Sequence, residues 1–92
     1  MNPTSNEDHD TPVTIYTTAW CPYCDRVKDL LDTKGVAYRE VDVDGPEKRT
    51  WLTTMTGQQT VPQVYVGDRH VGGWDDIISL ERAGKLDDLL TS

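Results

Sequence analysis

The sequence predicts an α/β fold: a four-stranded mixed sheet flanked by three or more helices. Three observations carry this expectation. Short runs rich in β-branched and aromatic residues alternate with segments of helical periodicity. Glycine or proline punctuates most of the junctions between them. The length, 92 residues, leaves room for one domain only.

Residues 1–11 carry no periodicity and read as a disordered acidic tail, so the expected domain runs over residues 12–92. Val13-Thr14-Ile15-Tyr16-Thr17 is a strand by composition. From Pro22 onward Val27, Leu30 and Leu31 recur at helical spacing, with Asp25, Arg26, Lys28, Asp29 and Asp32 on the outer face. Pro22 suits a first helical turn, where its missing N–H costs nothing, and Gly35 suits the C-terminal end. Val36 to Val43 reads as a second strand, and the intervening helix is long enough for a parallel crossover. Asp44-Gly45-Pro46 then opens a helix over about Glu47 to Thr56, striped by Trp51, Leu52 and Met55 and ended by Gly57. A loop, Gln58 to Pro62, leads to strand Gln63–Val66. Gly67-Asp68 turns it into Arg69-His70-Val71. Gly72-Gly73 precedes a last helical region with Trp74, Ile77, Ile78 and Leu80, which Gly84 breaks before Leu86, Leu89 and Leu90.

Composition bounds the function. Hydrophobic residues make up 36% and charged residues 27% of the chain, as in a soluble globular protein. No stretch approaches the roughly 18 apolar residues of a membrane span. The acidic, polar start is the opposite of a secretory leader, so the expected location is cytoplasmic. Nine Lys and Arg against 16 Asp and Glu give a net charge of −7. That makes nucleic acid a poor partner, because phosphate binding needs a basic footprint.

The two cysteines form one motif, Cys21-Pro22-Tyr23-Cys24. As a structural staple it would close too short a loop to matter, worth at most about 2 kcal/mol. A structural zinc site wants four ligands, and only His9 and His70 are left to join. Redox chemistry is the remaining use of the pair, and a CxxC at the first strand-to-helix junction is the thioredoxin-like arrangement. Cys21 stands just before the helix, where unpaired N–H groups and the dipole favour a thiolate. Cysteines so placed have pKa values of about 3.5–7.5. Cys24 lies one turn in, able to reach back and more shielded. Cys21 is therefore the expected nucleophile and Cys24 the resolving thiol.

The string Thr17-Thr18-Ala19-Trp20-Cys21-Pro22-Tyr23-Cys24 resembles the active site of a dithiol glutaredoxin. Thr60-Val61-Pro62 and Gly72-Gly73-Trp74-Asp75-Asp76 extend the resemblance over about residues 13–90, nearest to the short bacterial type called glutaredoxin 3. The resemblance implies a thiol–disulfide oxidoreductase that reduces protein disulfides and glutathione mixed disulfides. Glutathione is its co-substrate, no cofactor is bound, and the protein acts as a monomer. It also implies binding roles. Tyr23 flanks the tripeptide, and Val61 pairs main chain to main chain with its cysteinyl residue. Pro62 is in the cis form and shapes the loop facing the thiol, with Thr60 beside it. Gly73, Trp74, Asp75 and Asp76 receive the γ-glutamyl end, and Gln59 faces the glycine carboxylate.

Three residues depart from the family's usual pattern. Thr18 stands where many relatives carry Lys, Trp74 where a Cys is common, and Trp20 directly before the active cysteine. These departures keep two rivals in view. One is a redoxin served by thioredoxin reductase or by another low-molecular-weight thiol. The other is a dimer holding a [2Fe–2S] cluster through two Cys21 thiolates. The remaining residues read as structural: Trp51 as a core residue on its helix, Tyr16, Tyr38 and Tyr65 as strand packing, His70 as a surface residue, and Asp87-Asp88 as a solvated helix face.

Overall fold

The computed structural model describes residues 12–91, so the expected tail at residues 1–11 lies outside the described residues. The elements run β1 (Val13–Thr17), α1 (Pro22–Thr33), β2 (Arg39–Asp42), α2 (Pro46–Thr56), β3 (Gln63–Val66), β4 (Arg69–Gly72), α3 (Trp74–Arg82) and α4 (Leu86–Thr91). The sheet order is β2-β1-β3-β4. β1 pairs parallel with β2 and antiparallel with β3, which pairs antiparallel with β4. The four-stranded mixed sheet of a thioredoxin-like fold is therefore present.

Alternation along the strands divides the molecule into layers. Val13 and Ile15 of β1 and Val64 and Val66 of β3 turn one face toward Val27 and Leu31 of α1, Ile77 of α3, and Leu86 and Leu90 of α4. All nine are buried and form the main core. The opposite face carries Tyr16 and Tyr65, whose rings meet edge-on with centroids 5.8 Å apart. There α2 lays Trp51 against Tyr16 at 5.5 Å and buries Leu52.

Three expectations need correction. β2 starts at Arg39, not Val36. The end of α1 is satisfied by Gly35 N–H to Asp32 O and Val36 N–H to Leu31 O, a double bond pattern typical of helix ends. Those bonds spend the chain from 34 to 36 on closing the helix, so Val36 and Tyr38 pack on the core without joining the ladder. In α2, which begins at Pro46, Leu52 alone of the stripe is buried; Trp51 and Met55 are 49% and 40% exposed. Trp51 is thus an aromatic lid on Tyr16 rather than a core residue. His70 is half-buried, not a surface residue, because the two-residue Gly67-Asp68 turn pairs it with Tyr65, 5.0 Å between ring centroids. The last helical region breaks around Gly84 into two helices, as the sequence suggested.

Lys34 ties the helical layer together. Its ammonium lies 2.6 Å from the Glu81 carboxylate of α3 and 2.7 Å from that of Asp87 in α4. A second network crosses from β1 to β2 and α1: the buried Thr17 hydroxyl donates to Glu40 Oε2 at 2.6 Å, and Lys28 donates to the same oxygen at 3.1 Å.

Candidate active site

The site is built where β1 runs into α1. After Thr17 the chain leaves the sheet, and the Ala19 N–H is held by the Asp44 carboxylate at 2.9 Å. Trp20 then stands 95% exposed. Cys21 follows as the N-cap of α1 in extended conformation, and Pro22 opens the helix. Capping residues accept from the orphan N–H groups of the first turn. Here the Cys21 sulfur is that acceptor: the Cys24 N–H donates to Sγ at 3.0 Å. The two cysteines are joined as a disulfide, their Cα atoms 5.2 Å apart. Cys21 keeps a 9% exposed edge, whereas Cys24 is closed in at 1%. An incoming sulfur can therefore reach Cys21 and not Cys24.

The loop after α2 supplies the wall opposite the thiols. The Val61–Pro62 peptide is cis, and the Val61 carbonyl oxygen lies 3.7 Å from Cys21 Sγ. Pro62 is buried, while Thr60 is exposed and tied down from beneath by Gln63. The third wall is the start of α3. Its first-turn Asp76 carboxylate accepts the Gly73 N–H at 3.1 Å. The N–H groups at a helix start attract negative charge.

Between these walls runs a cleft of about 320 Å³. Tyr23 borders it from α1, with the Arg26 guanidinium 5.2 Å from its ring centre. Thr60, Val61 and Pro62 line it from the loop, and Gly73, Trp74, Asp75 and Asp76 from the start of α3. The structure thus brings together every binding residue expected from the sequence except Gln59. Gln59 lines a separate groove with Arg49, Thr50, Thr53 and Thr54, and the Arg49 guanidinium donates to its backbone carbonyl at 2.6 Å. Its neighbour Gln58 lines the cleft instead. Gln63 also borders the cleft and escaped the sequence reading. The available signal was a polar residue in an otherwise apolar strand.

A larger groove of about 510 Å³ lies between β4 and the last two helices, lined by Arg69, Leu80 and Lys85 among others, but it holds no thiol. Among the described residues no group of three or more His, Cys, Asp or Glu is placed to hold a metal ion. Nor is any helix among the described residues long and apolar enough to cross a membrane.

A four-stranded mixed sheet with a CxxC pair capping its first helix, facing a cis-proline loop, defines a thiol–disulfide oxidoreductase of thioredoxin-like fold. The family pattern described as Glutaredoxin matches residues 13–71. A glutaredoxin of Pseudomonas aeruginosa is 58% identical over 82 residues, 88% of this chain and 98% of that one. Glutaredoxin 3 of Escherichia coli is 46% identical over 79 residues, covering 85% and 95%. Among solved structures, a buckwheat glutaredoxin–glutathione complex superposes with a TM-score of 0.80 at 36% identity, covering 88% of this chain and 77% of the other. The chain belongs to the glutaredoxin family.

Proposed function

We propose that this thiol–disulfide oxidoreductase is glutathione-dependent and acts on protein disulfides and glutathione mixed disulfides in the cytoplasm, as a monomeric domain over residues 12–92. The observation that carries this reading is the cleft itself. Its volume of about 320 Å³ runs from Tyr23 and the Thr60–Pro62 loop, whose Val61 carbonyl lies 3.7 Å from Cys21 Sγ, to the start of α3. The buckwheat glutaredoxin, solved in complex with glutathione, has the same fold.

In the proposed reaction the Cys21 thiolate attacks the glutathione sulfur of a protein–glutathione mixed disulfide. The S–S bond breaks, the protein sulfur leaves as a thiolate and takes a proton, and Cys21 is left glutathionylated. A second glutathione thiolate then attacks that sulfur, giving oxidised glutathione and freeing Cys21. In the dithiol branch Cys24 attacks the Cys21 sulfur instead. It expels glutathione and closes the Cys21–Cys24 disulfide, which two glutathione molecules reduce. The Cys24 N–H, already aimed at Cys21 Sγ, stabilises the thiolate in both branches.

Binding follows the walls of the cleft. Val61 offers its main chain to the cysteinyl residue of glutathione, beside Thr60 and Pro62, and Tyr23 covers one flank. The N–H groups at Trp74 and Asp75 receive the γ-glutamyl carboxylate, and the carboxylates of Asp75 and Asp76 face its ammonium, with Gly73 allowing the close approach. Gln58 takes the place that the sequence assigned to Gln59, opposite the glycine carboxylate.

The test is a coupled assay on a glutathionylated small disulfide with glutathione, glutathione reductase and NADPH. Cys21→Ser is expected to abolish turnover and Cys24→Ser to keep most of it. Turnover with thioredoxin reductase or with another thiol, and none with glutathione, would overturn the glutathione reading and leave the oxidoreductase class in place.

A further inference from the structure

Gln63 is the first residue of β3 after the cis proline, and it is 1% exposed. A buried amide is costly unless its donors and acceptor are all paired, and here they are. Its Nε2 donates to the Thr60 carbonyl at 3.0 Å and approaches the Thr60 hydroxyl at 3.3 Å. Its Oε1 lies 2.6 Å from His70 Nε2. The Thr60 carbonyl can only accept, so the amide nitrogen must face Thr60 and the amide oxygen must face His70. That oxygen can only accept as well, so the His70 ring must carry its proton on Nε2. The chain of donors therefore has one direction: His70 on β4 to Gln63 on β3 to Thr60 in the loop. His70 is itself fixed by the Tyr65 ring 5.0 Å away.

We propose that His70 and Gln63 are positioning residues, forming a one-way hydrogen-bond relay that sets the Thr60–Pro62 loop against Cys21 and so governs how tightly the thiol substrate is held. Neither residue touches the sulfurs. Their effect passes through Thr60, the exposed residue at the head of the loop, to Val61, whose carbonyl stands 3.7 Å from Cys21 Sγ. Without the relay Thr60 loses the buried anchor beneath it, and the wall that meets the substrate main chain is no longer held in register. Such a loss weakens binding more than it slows the chemistry.

This relay rests on the glutathione reading above, and its test separates the two. Steady-state kinetics on a glutathionylated peptide are compared for wild type, His70→Leu, His70→Gln and Gln63→Leu. His70→Leu and Gln63→Leu are expected to raise KM roughly fivefold, the scale of one lost hydrogen bond, with kcat within about twofold. His70→Gln restores an N–H donor at the same reach and should recover most of the KM. Both His70 variants lose the ring contact with Tyr65, so a merely structural role would leave them alike. Equal KM values for the two would overturn the relay. The second readout needs no activity: ring-nitrogen NMR should show His70 protonated on Nε2 in the neutral form, and an Nδ1-protonated ring would overturn the assignment. A wild type that fails to turn over with glutathione would defeat the functional reading instead, and the NMR measurement would then decide the relay alone.

Discussion

The Asp76 carboxylate fills the space that a β-carbon on Gly72 would need, and it accepts the N–H of Gly73 from the same position. The two glycines before α3 thus have different uses. Gly72 makes room for a side chain of the protein itself. Gly73 lets β4 and α3 approach the cis-proline loop, since a β-carbon there would stand 3.2 Å from the Pro62 carbonyl. The corner that starts α3 and the loop that faces Cys21 are packed against each other, so a change at one reaches the other.

Gly72→Ala tests this corner. Its φ of +125° disfavours any L side chain, and the new methyl would collide with Asp76. The expected loss is about 2–3 kcal/mol of stability in urea unfolding, together with a raised KM for glutathione. A loss below about 0.5 kcal/mol would show that the corner is not packed as described.

Gln58 and Gln59 are neighbours that the structure sends to different grooves. Gln58→Ala is expected to raise the glutathione KM about twofold to fivefold, the value of one neutral hydrogen bond. Gln59→Ala should leave it unchanged. The reverse result in steady-state kinetics would return the role to Gln59.

Acid should weaken the link between β1 and β2. The Thr17 hydroxyl, and after it Lys28, holds the Glu40 carboxyl below its ordinary value of 4.5. A group lowered on folding adds stability above its unfolded pKa and loses it as pH falls through the folded value. The contribution is therefore present above about pH 4.5 and disappears below it. Thr17→Val removes the larger donor and should shift the acid-unfolding midpoint upward, followed by circular dichroism. Because the Glu40 side chain is 39% exposed, the loss at pH 7 should stay under about 1 kcal/mol. An unchanged midpoint would count against the pairing.

Base should loosen the helical layer. The carboxylates of Asp87 and then Glu81 raise the Lys34 ammonium above 10.5. A group raised on folding stabilises below its unfolded pKa and loses that effect as pH rises through the folded value. Lys34→Met should speed amide hydrogen exchange in α4 relative to α1 at neutral pH. Uniform exchange across both helices would remove Lys34 as the tie.

The sequence was most legible where one force dominated. β-Branched runs marked β1 and β3 with the bounds that the structure shows, and Pro22 marked the start of α1. Cys21 could be placed as its cap because the motif and the helix start coincide. Reading failed where tertiary geometry chose among locally equal options. The apolar Val36 looked like strand, but its N–H closes α1. Trp51 and Met55 had helical spacing, yet α2 has only Leu52 buried. His70 looked exposed because nothing local announces that Tyr65 and the buried Gln63 amide lie against its ring. Gln58 and Gln59 differ by one position in a loop without periodicity, so only the folded chain tells them apart.

The order of the sheet leaves β2 and β4 as its outer strands, and an outer strand invites another chain to pair with it. Three of the four residues of β2, Arg39, Glu40 and Asp42, are charged. β4 opens with Arg39's counterpart in charge, Arg69, and its register against β3 is irregular. Charge and irregularity are the means by which natural sheets resist growing from their edges. A strand from a second molecule would meet charge at the one edge and an irregular ladder at the other, so the sheet stays at four strands.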